Sequence, residues 1–298
     1  MFSIIMPAYN EEAHITEAIQ SILQQSYKDI ELLVVDDGST DKTWEIISEL
    51  SHSDDRLKVF HPGKLGKNGA TNYAEERVSG DWFAFFGADD VMEQGILEKW
   101  HNIAEKYNPL DQKIVILSRM RMFATDKEYK KFDGIEIPKD KNGVCRSGGA
   151  FLATRAVMED MFPLPLNYPN EDGWMKLYFE FLTEEIVPCP SVCVNYRIHG
   201  GNSIDKKAKY EDFTEKFHKR AVVCKTFSER YEDRLDDSVK ATLNHKYELE
   251  SFRYNHKSLK ILCYKYASFS GKMRAFFFSN KLLYNVKVFF SKFFIGRN

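Results

Sequence analysis

Three pairs of neighbouring acids are the residues best suited to chemistry in this chain. They are Asp36-Asp37 in VVDDGSTD, Asp89-Asp90 in FFGADDVM and Glu171-Asp172 in YPNEDGWMKLYF. Carboxylates this close repel, and each raises the other's pKa unless positive charge lies beside them. A hard divalent cation takes oxygen ligands of this kind and can in turn neutralise a phosphate-bearing ligand. Helix capping is the other common use of an Asp that follows a strand, and for any single acid both readings stay open. Glu171-Asp172 opens a helical run in which Trp174, Leu177, Tyr178 and Phe181 recur at i, i+3, i+4 and i+7. A carboxylate at a helix N-terminus is pre-oriented, and the helix dipole favours its ionised form, which suits a general base. Capping by Asn170 and Glu171 is the alternative there.

The elements that must position these acids can be read from hydrophobic pattern. An apolar run at 3–6 is stopped by Pro7, as in a buried strand. Ile15, Ile19, Ile22 and Leu23 line one face of a helix. Residues 30–35 read as a second strand, KTWEIISEL as a helix, 56–61 as a third strand, 70–78 as a helix and 81–86 as a fourth strand. This alternation implies right-handed βαβ units and a mainly parallel sheet flanked by helices. Ligands of such sheets bind beyond the carboxyl ends of the strands. The loops carrying Pro7, Ala8, Tyr9 and Glu11, Asp36 and Asp37, and Ala88 and Asp89 are therefore expected to converge on one crevice. The chain has no GxGxxG and no GxxxxGK[ST], so neither a dinucleotide fold nor a P-loop is indicated.

With 298 residues there is room for one large domain and an appendage. A net charge of −2 gives no overall pull towards nucleic acid. The start of the chain has no basic region ahead of an apolar one, so no secretory signal is read, and no apolar run is long enough for a spanning helix. The five scattered cysteines fit a reducing, cytoplasmic setting. Cys189 and Cys193 could form a metal pair, but no second Cys/His pair has zinc spacing, so buried reduced thiols are the stronger reading.

The stretch from SIIMPAYNEE through VVDDGSTDKTWEII to FFGADDVM resembles the family-2 glycosyltransferases of the GT-A fold, and the likeness extends over about residues 2–203. That resemblance implies a Rossmann-like catalytic domain at 1–204, with a nucleotide-sugar half at 1–110 and an acceptor half at 111–204. It implies inverting transfer of a hexosyl-type sugar from a nucleotide-sugar, usually a UDP-sugar, with Mn²⁺ or Mg²⁺. The acceptor would be a glycan or lipid-linked glycan in bacterial surface-polysaccharide synthesis. By the same resemblance Pro7, Ala8 and Tyr9 line the nucleobase slot, Glu11 sits near the nucleoside, Asp36 accepts from the base and Asp37 supports the turn. Gly66, Asn68 and Asn72 match a Gly-rich donor segment. Thr71 stands where many relatives have Arg, and Lys64 and Lys67 are candidates to replace that cation. Asp89, after Ala88, matches the metal-binding Asp, while Gly87 stands where the usual first Asp would be. Asp172 matches the general base. His199 matches a metal or phosphate ligand and Arg197 a phosphate contact, ahead of a Gly200-Gly201 hinge. Gly148 and Gly149 match the acceptor floor. The departure at Gly87 leaves a second reading, a nucleotide-sugar-binding protein that has lost turnover.

Residues 205–298 depart from that resemblance and read as a helical extension. After Glu250 there is no acid, while bases alternate with large aromatics in GKMRAFFFSNKLLYNVKVFFSKFFIGRN. Such a basic, aromatic stretch fits an anionic membrane surface at the inner face of a membrane. Packing on protein, including a homodimer contact, is the alternative.

Overall fold

A computed structural model describes residues 1–146, 149–166, 168, 171–199 and 210–286. Gly148, Asn170, the Gly200-Gly201 hinge and the end of the basic tail (287–298) lie outside the described residues. The chain divides into two compact units, one of Met1–Leu166 with Asn170–Ser203, the other of Asn167–Pro169 with Ile204–Asn298.

The first unit is an α/β layer structure. Its strands are β1 (Phe2–Ala8), β2 (Ile30–Asp36), β3 (Leu57–Phe60), β4 (Trp82–Phe85), β5 (Val91–Met92), β6 (Ile114–Ala124), β7 (Glu136–Ile137), β8 (Phe151–Thr154) and β9 (Glu185–Ile198). Its helices are α1 (Ile15–Leu23), α2 (Thr43–Ser51), α3 (Lys67–Glu75), α4 (Ile96–Ala104), α5 (Arg155–Met161) and α6 (Asp172–Phe181). The sheet order is β3-β2-β1-β4-β8-β6-β9-β5, with β7 on β6. The strands β3, β2, β1 and β4 are parallel, as the βαβ pattern requires. Beyond them β8 enters antiparallel to both β4 and β6, so the whole sheet is mixed.

β1 and β2 are almost wholly buried, which is why they are continuous apolar runs without alternation. β1 continues through Pro7 to Ala8, past the break expected at the proline. Its pairing with β4 ends at Ile5, so from there only β2 needs bonds from it. α3 begins at Lys67, earlier than its apolar pattern suggests, because Gly66 takes φ 78° and turns the chain directly into the helix. Ile15, Ile19 and Ile22 of α1 and Trp100 of α4 close over the sheet in one core.

The second unit is helical, with α7 (Tyr210–Arg230), α8 (Asp237–Tyr254), α9 (Ser258–Cys263) and α10 (Phe269–Phe277). Phe227, Leu243 and Ile261 are buried in it together with a charged pair. Buried Arg253 pairs with Glu250 at 2.5 Å and donates to the Thr214 hydroxyl and to the carbonyl of Phe278. A guanidinium is removed from water there only because its donors are met.

Candidate active site

The carboxyl ends of the four parallel strands form a row in the order β3, β2, β1, β4, and each leads into a loop with polar side chains. Asn10, with φ 55°, turns the chain after β1 and clasps the loop after β2. Its N–H donates to Ser39 Oγ (2.9 Å), and its Oδ1 accepts from Thr40 N (2.8 Å). Glu11 N donates to Thr43 Oγ1 (2.8 Å), and Asp41 caps the start of α2 through Thr43 N (3.0 Å). The PAYNE and DDGSTD segments are thereby one rigid rim.

Asp37 Oδ1 accepts from the N–H groups of Leu65 (2.6 Å) and Gly66 (2.8 Å), and its Oδ2 meets Lys64 Nζ at 2.9 Å. It shapes the entry to α3. Lys64 Nζ also lies 3.1 Å from the ring centroid of Tyr9, which is 46% exposed. Asp36 is fully buried and held by Ser39 and by His61. Pro7 is half-buried. Ala8 and Ala88 are buried. Asn68 is also buried; its amide donates to Pro165 O (2.7 Å), and its Oδ1 has no hydrogen-bond partner among the described residues. It ties α3 to the 164–165 segment, as Asn72 does through Leu164.

At the other end of the row, β5 pairs antiparallel with β9, Val91 opposite Asn195. That register carries residues 89–90 alongside 197–199. His199 Nε2 lies 3.1 Å from Asp89 Oδ2. Buried Arg197 is a strut: its N–H donates to Asp90 Oδ1 (2.9 Å), its Nε to the Asp89 carbonyl (2.7 Å) and its Nη2 to Glu17 (2.6 Å). It is thus placed below the Asp89 loop, bracing it against α1. Buried Asp90 has its carboxyl raised well above the ordinary range by burial and then by the charge of Asp89. Glu11 is pushed up to about 7 by burial, then by Asp89 and Asp41. In both, burial is the larger cause and the charge of Asp89 adds to it.

Gly87 has a steric role. A Cβ there would lie 2.6 Å from Asp90 Oδ2 and 3.0 Å from Asp89 Oδ1. The carboxylate of Asp90, fixed by Arg197, occupies the space that a first Asp would need. Gly87→Ala is expected to destabilise the protein by about 1–3 kcal/mol, the usual cost of overpacking. Thermal unfolding checks this, and an unchanged Tm would mean that the loop yields freely.

The acceptor-half acids approach the same place. Lys67, first residue of α3, pairs with Glu171 Oε1 at 2.9 Å. Burial lowers its pKa, but Glu171, Asp172 and then Asp89 outweigh that and raise it. Tyr196 is pushed up to about 12 by burial and then by Asp90, Asp89 and Asp172. Lys67 and Tyr196 each feel both Asp89 and Asp172, so the two carboxylates share one electrostatic neighbourhood. Asp172 itself begins α6, after Glu171.

Among the described residues, no three His, Cys, Asp or Glu side chains converge to cage a metal. Asp89 and His199, 3.1 Å apart, could offer two ligands to a cation. This fits a cation such as Mg²⁺, which is usually held by one or two carboxylates together with substrate phosphates. Cys189 and Cys193 are buried thiols within β9, and burial, then Cys189, pushes Cys193 up.

The profile of Glycosyl transferase family 2 matches residues 3–186. The chain belongs to that family. A Haemophilus influenzae protein named as an uncharacterized glycosyltransferase is 44% identical over 103 residues, 34% of this chain. The match spans only 41% of that relative's length. A Campylobacter jejuni GalNAc(5)-diNAcBac-PP-undecaprenol beta-1,3-glucosyltransferase is 37% identical over 97 residues, 32% of this chain and 31% of that one. The crystal structure of S. aureus TarS 1-349 in complex with UDP-GlcNAc superimposes with a TM-score of 0.61 at 20% identity, covering 93% of this chain and 81% of that one. The GT-A architecture expected from the motifs is therefore the fold.

His61, Trp44 and Glu17 belong to this site or its supports but were not singled out from the sequence. His61 directly follows β3, and Asp36 is the last residue of β2; the rule about strand ends would have found His61 had the strand not been extended over it. Glu17 meets Arg197 across 180 positions, which no local pattern reveals.

Proposed function

We propose that this family-2 member moves a hexosyl unit, with inversion, from a UDP-sugar to a glycan or lipid-linked glycan acceptor in surface-polysaccharide synthesis. The observation carrying this reading is that Lys67, at the edge of the parallel strands and 2.9 Å from Glu171, is also influenced by the charges of Asp172 and Asp89. The UDP-GlcNAc bound to TarS and the undecaprenol-linked substrate in the Campylobacter relative's name support the donor and acceptor classes.

The base would enter over Tyr9, with Lys64 displaced from the ring or retained against the ligand. Asp89 and His199 would hold Mn²⁺ or Mg²⁺ together with the diphosphate, and Glu11 would lie near the nucleoside. A bound divalent cation stabilises the charge developing on a diphosphate leaving group. Asp172 takes the proton of the acceptor hydroxyl as its oxygen bonds to the anomeric carbon. The bond from that carbon to the diphosphate breaks on the opposite face, and UDP leaves with the bonding electrons. Arg197 and Asp90 fix the Asp89 loop so that the geometry is ready before substrate arrives. An acid at the start of α6 supports turnover over a protein that only binds nucleotide-sugar. Calorimetric titration of nucleotide-sugars with and without Mn²⁺ tests the reading. UDP-sugars should bind only with the cation, and no binding of any nucleotide-sugar would overturn it.

The second unit supports a peripheral role at an anionic membrane. Leu259 and Phe269 are each 79% exposed, with Leu262 and Tyr266 also exposed and Lys257, Lys260 and Lys265 beside them in sequence. Other tail aromatics are packed: Phe278 and Tyr284 lie 5.0 and 5.2 Å from Phe213 between ring centroids. Among the described residues no helix is long and apolar enough to cross a membrane. Cutting at residue 271 would remove Phe278, a partner of Arg253, so surface substitution is the cleaner probe. Leu259→Ser with Phe269→Ser should abolish pelleting with anionic liposomes. Undiminished pelleting would refute the assignment, and a dimer lost in the same variant would make this face a homodimer contact instead.

A further inference from the structure

In the resemblance stated above, Asp36 contacts the nucleobase. In this structure Asp36 is 0% exposed. Its Oδ1 accepts from Ser39 N at 3.2 Å and from the Ser39 hydroxyl, and its Oδ2 lies 2.6 Å from His61 Nδ1. A carboxylate with no accessible surface cannot bond a ligand in the crevice. His61 can: its side chain is 41% exposed, and its ring lies on Trp44 with centroids 4.9 Å apart.

We propose that His61, oriented by Asp36 and Trp44, is the residue that reads the nucleobase. This rests on the nucleotide-sugar reading above. An ionised Asp36 only accepts, so Nδ1 of His61 must carry the proton in their contact. In neutral imidazole the lone pair is then on Nε2, for which no hydrogen-bond partner occurs among the described residues. The row of strand ends gives this atom its ligand. The β3 end offers His61 with the ring of Trp44 from α2 against it, which suits a flat heterocycle. The β4 end offers Asp89 and His199, which suit a cation and diphosphate. A nucleoside diphosphate laid along the row puts its base at His61.

An acceptor at Nε2 selects bases with a ring N–H. Uracil presents N3–H, whereas cytosine presents a bare N3, and two facing acceptors leave both unpaired. His61 therefore acts on specificity, favouring UDP over CDP by about tenfold or more, the effect expected of one hydrogen bond and its unsatisfied counterpart.

The test is calorimetric titration of UDP and CDP, each with Mn²⁺, into the wild type and three variants whose Tm is checked first. His61→Ala removes both contacts. His61→Asn keeps an amide nitrogen near the Nδ1 position but has no atom at Nε2. His61→Gln can carry a carbonyl oxygen towards the Nε2 position. The Ala and Asn variants should lose most of the preference, chiefly through weaker UDP binding, and Gln should retain part of it. An unchanged UDP-to-CDP ratio in Ala and Asn, or equal weakening of both nucleotides, would reduce His61 to a support for Asp36 and overturn the proposal while leaving the donor reading intact. Failure of the wild type to bind any nucleotide would overturn both.

Discussion

Asp172→Asn lowers kcat by about 10²-fold or more, the usual contribution of a general base, and leaves UDP titrating as in the wild type. The substitution is nearly isosteric and keeps a residue that tolerates a helix start, so α6 should form unchanged. Glu171 keeps its pair with Lys67, so that cation stays in place. What disappears is the ability to accept a proton from the acceptor hydroxyl. Steady-state kinetics beside calorimetry separates the two effects. Full turnover would remove Asp172 from its role and make Glu171, whose Oε2 is buried without a hydrogen-bond partner among the described residues, the next candidate.

Asp89→Ala abolishes the cation dependence of donor binding and weakens UDP by about a hundredfold. Loss of supporting residues around metal ligands alone costs 10–100-fold, and here a ligand itself is lost. The loop should survive, because Arg197 grips the carbonyl of Asp89 and the carboxylate of Asp90, and neither needs the Asp89 side chain. Equal UDP affinity with and without Mn²⁺ is the expected signature, and unchanged cation-dependent binding would refute the metal assignment.

Much of this site could be read from the sequence because it sits where local pattern is strongest. β1, β2 and β4 are short buried apolar runs, each ending in polar residues, so Tyr9, Asp36 and Asp89 were expected at one edge from period and order alone. The second half of the sheet was less legible. β9 contains Pro188 and Pro190, which argue against a long strand, yet it runs 14 residues because β6 pairs with it in parallel across a register shift. The antiparallel entry of β8 is set by two partners far away in the chain. Among site residues, side-chain direction was the missing information. Asp36 and Asn68 are at expected places but point into the protein, and Arg197 reaches back to Glu17. Gly87 looked like the loss of a ligand. The coordinates give it a steric reason, the inward turn of Asp90 towards Arg197.

The central claim is that a cation on Asp89 and the carboxylate of Asp172 flank one reacting carbon. Anomalous scattering from crystals grown with Mn²⁺ and a UDP-sugar tests it directly. The expected result is a manganese peak against Asp89 and the diphosphate, with Asp172 facing the anomeric carbon from the side opposite the leaving oxygen. Manganese bound elsewhere, or Asp172 turned away from the sugar, would contradict the account.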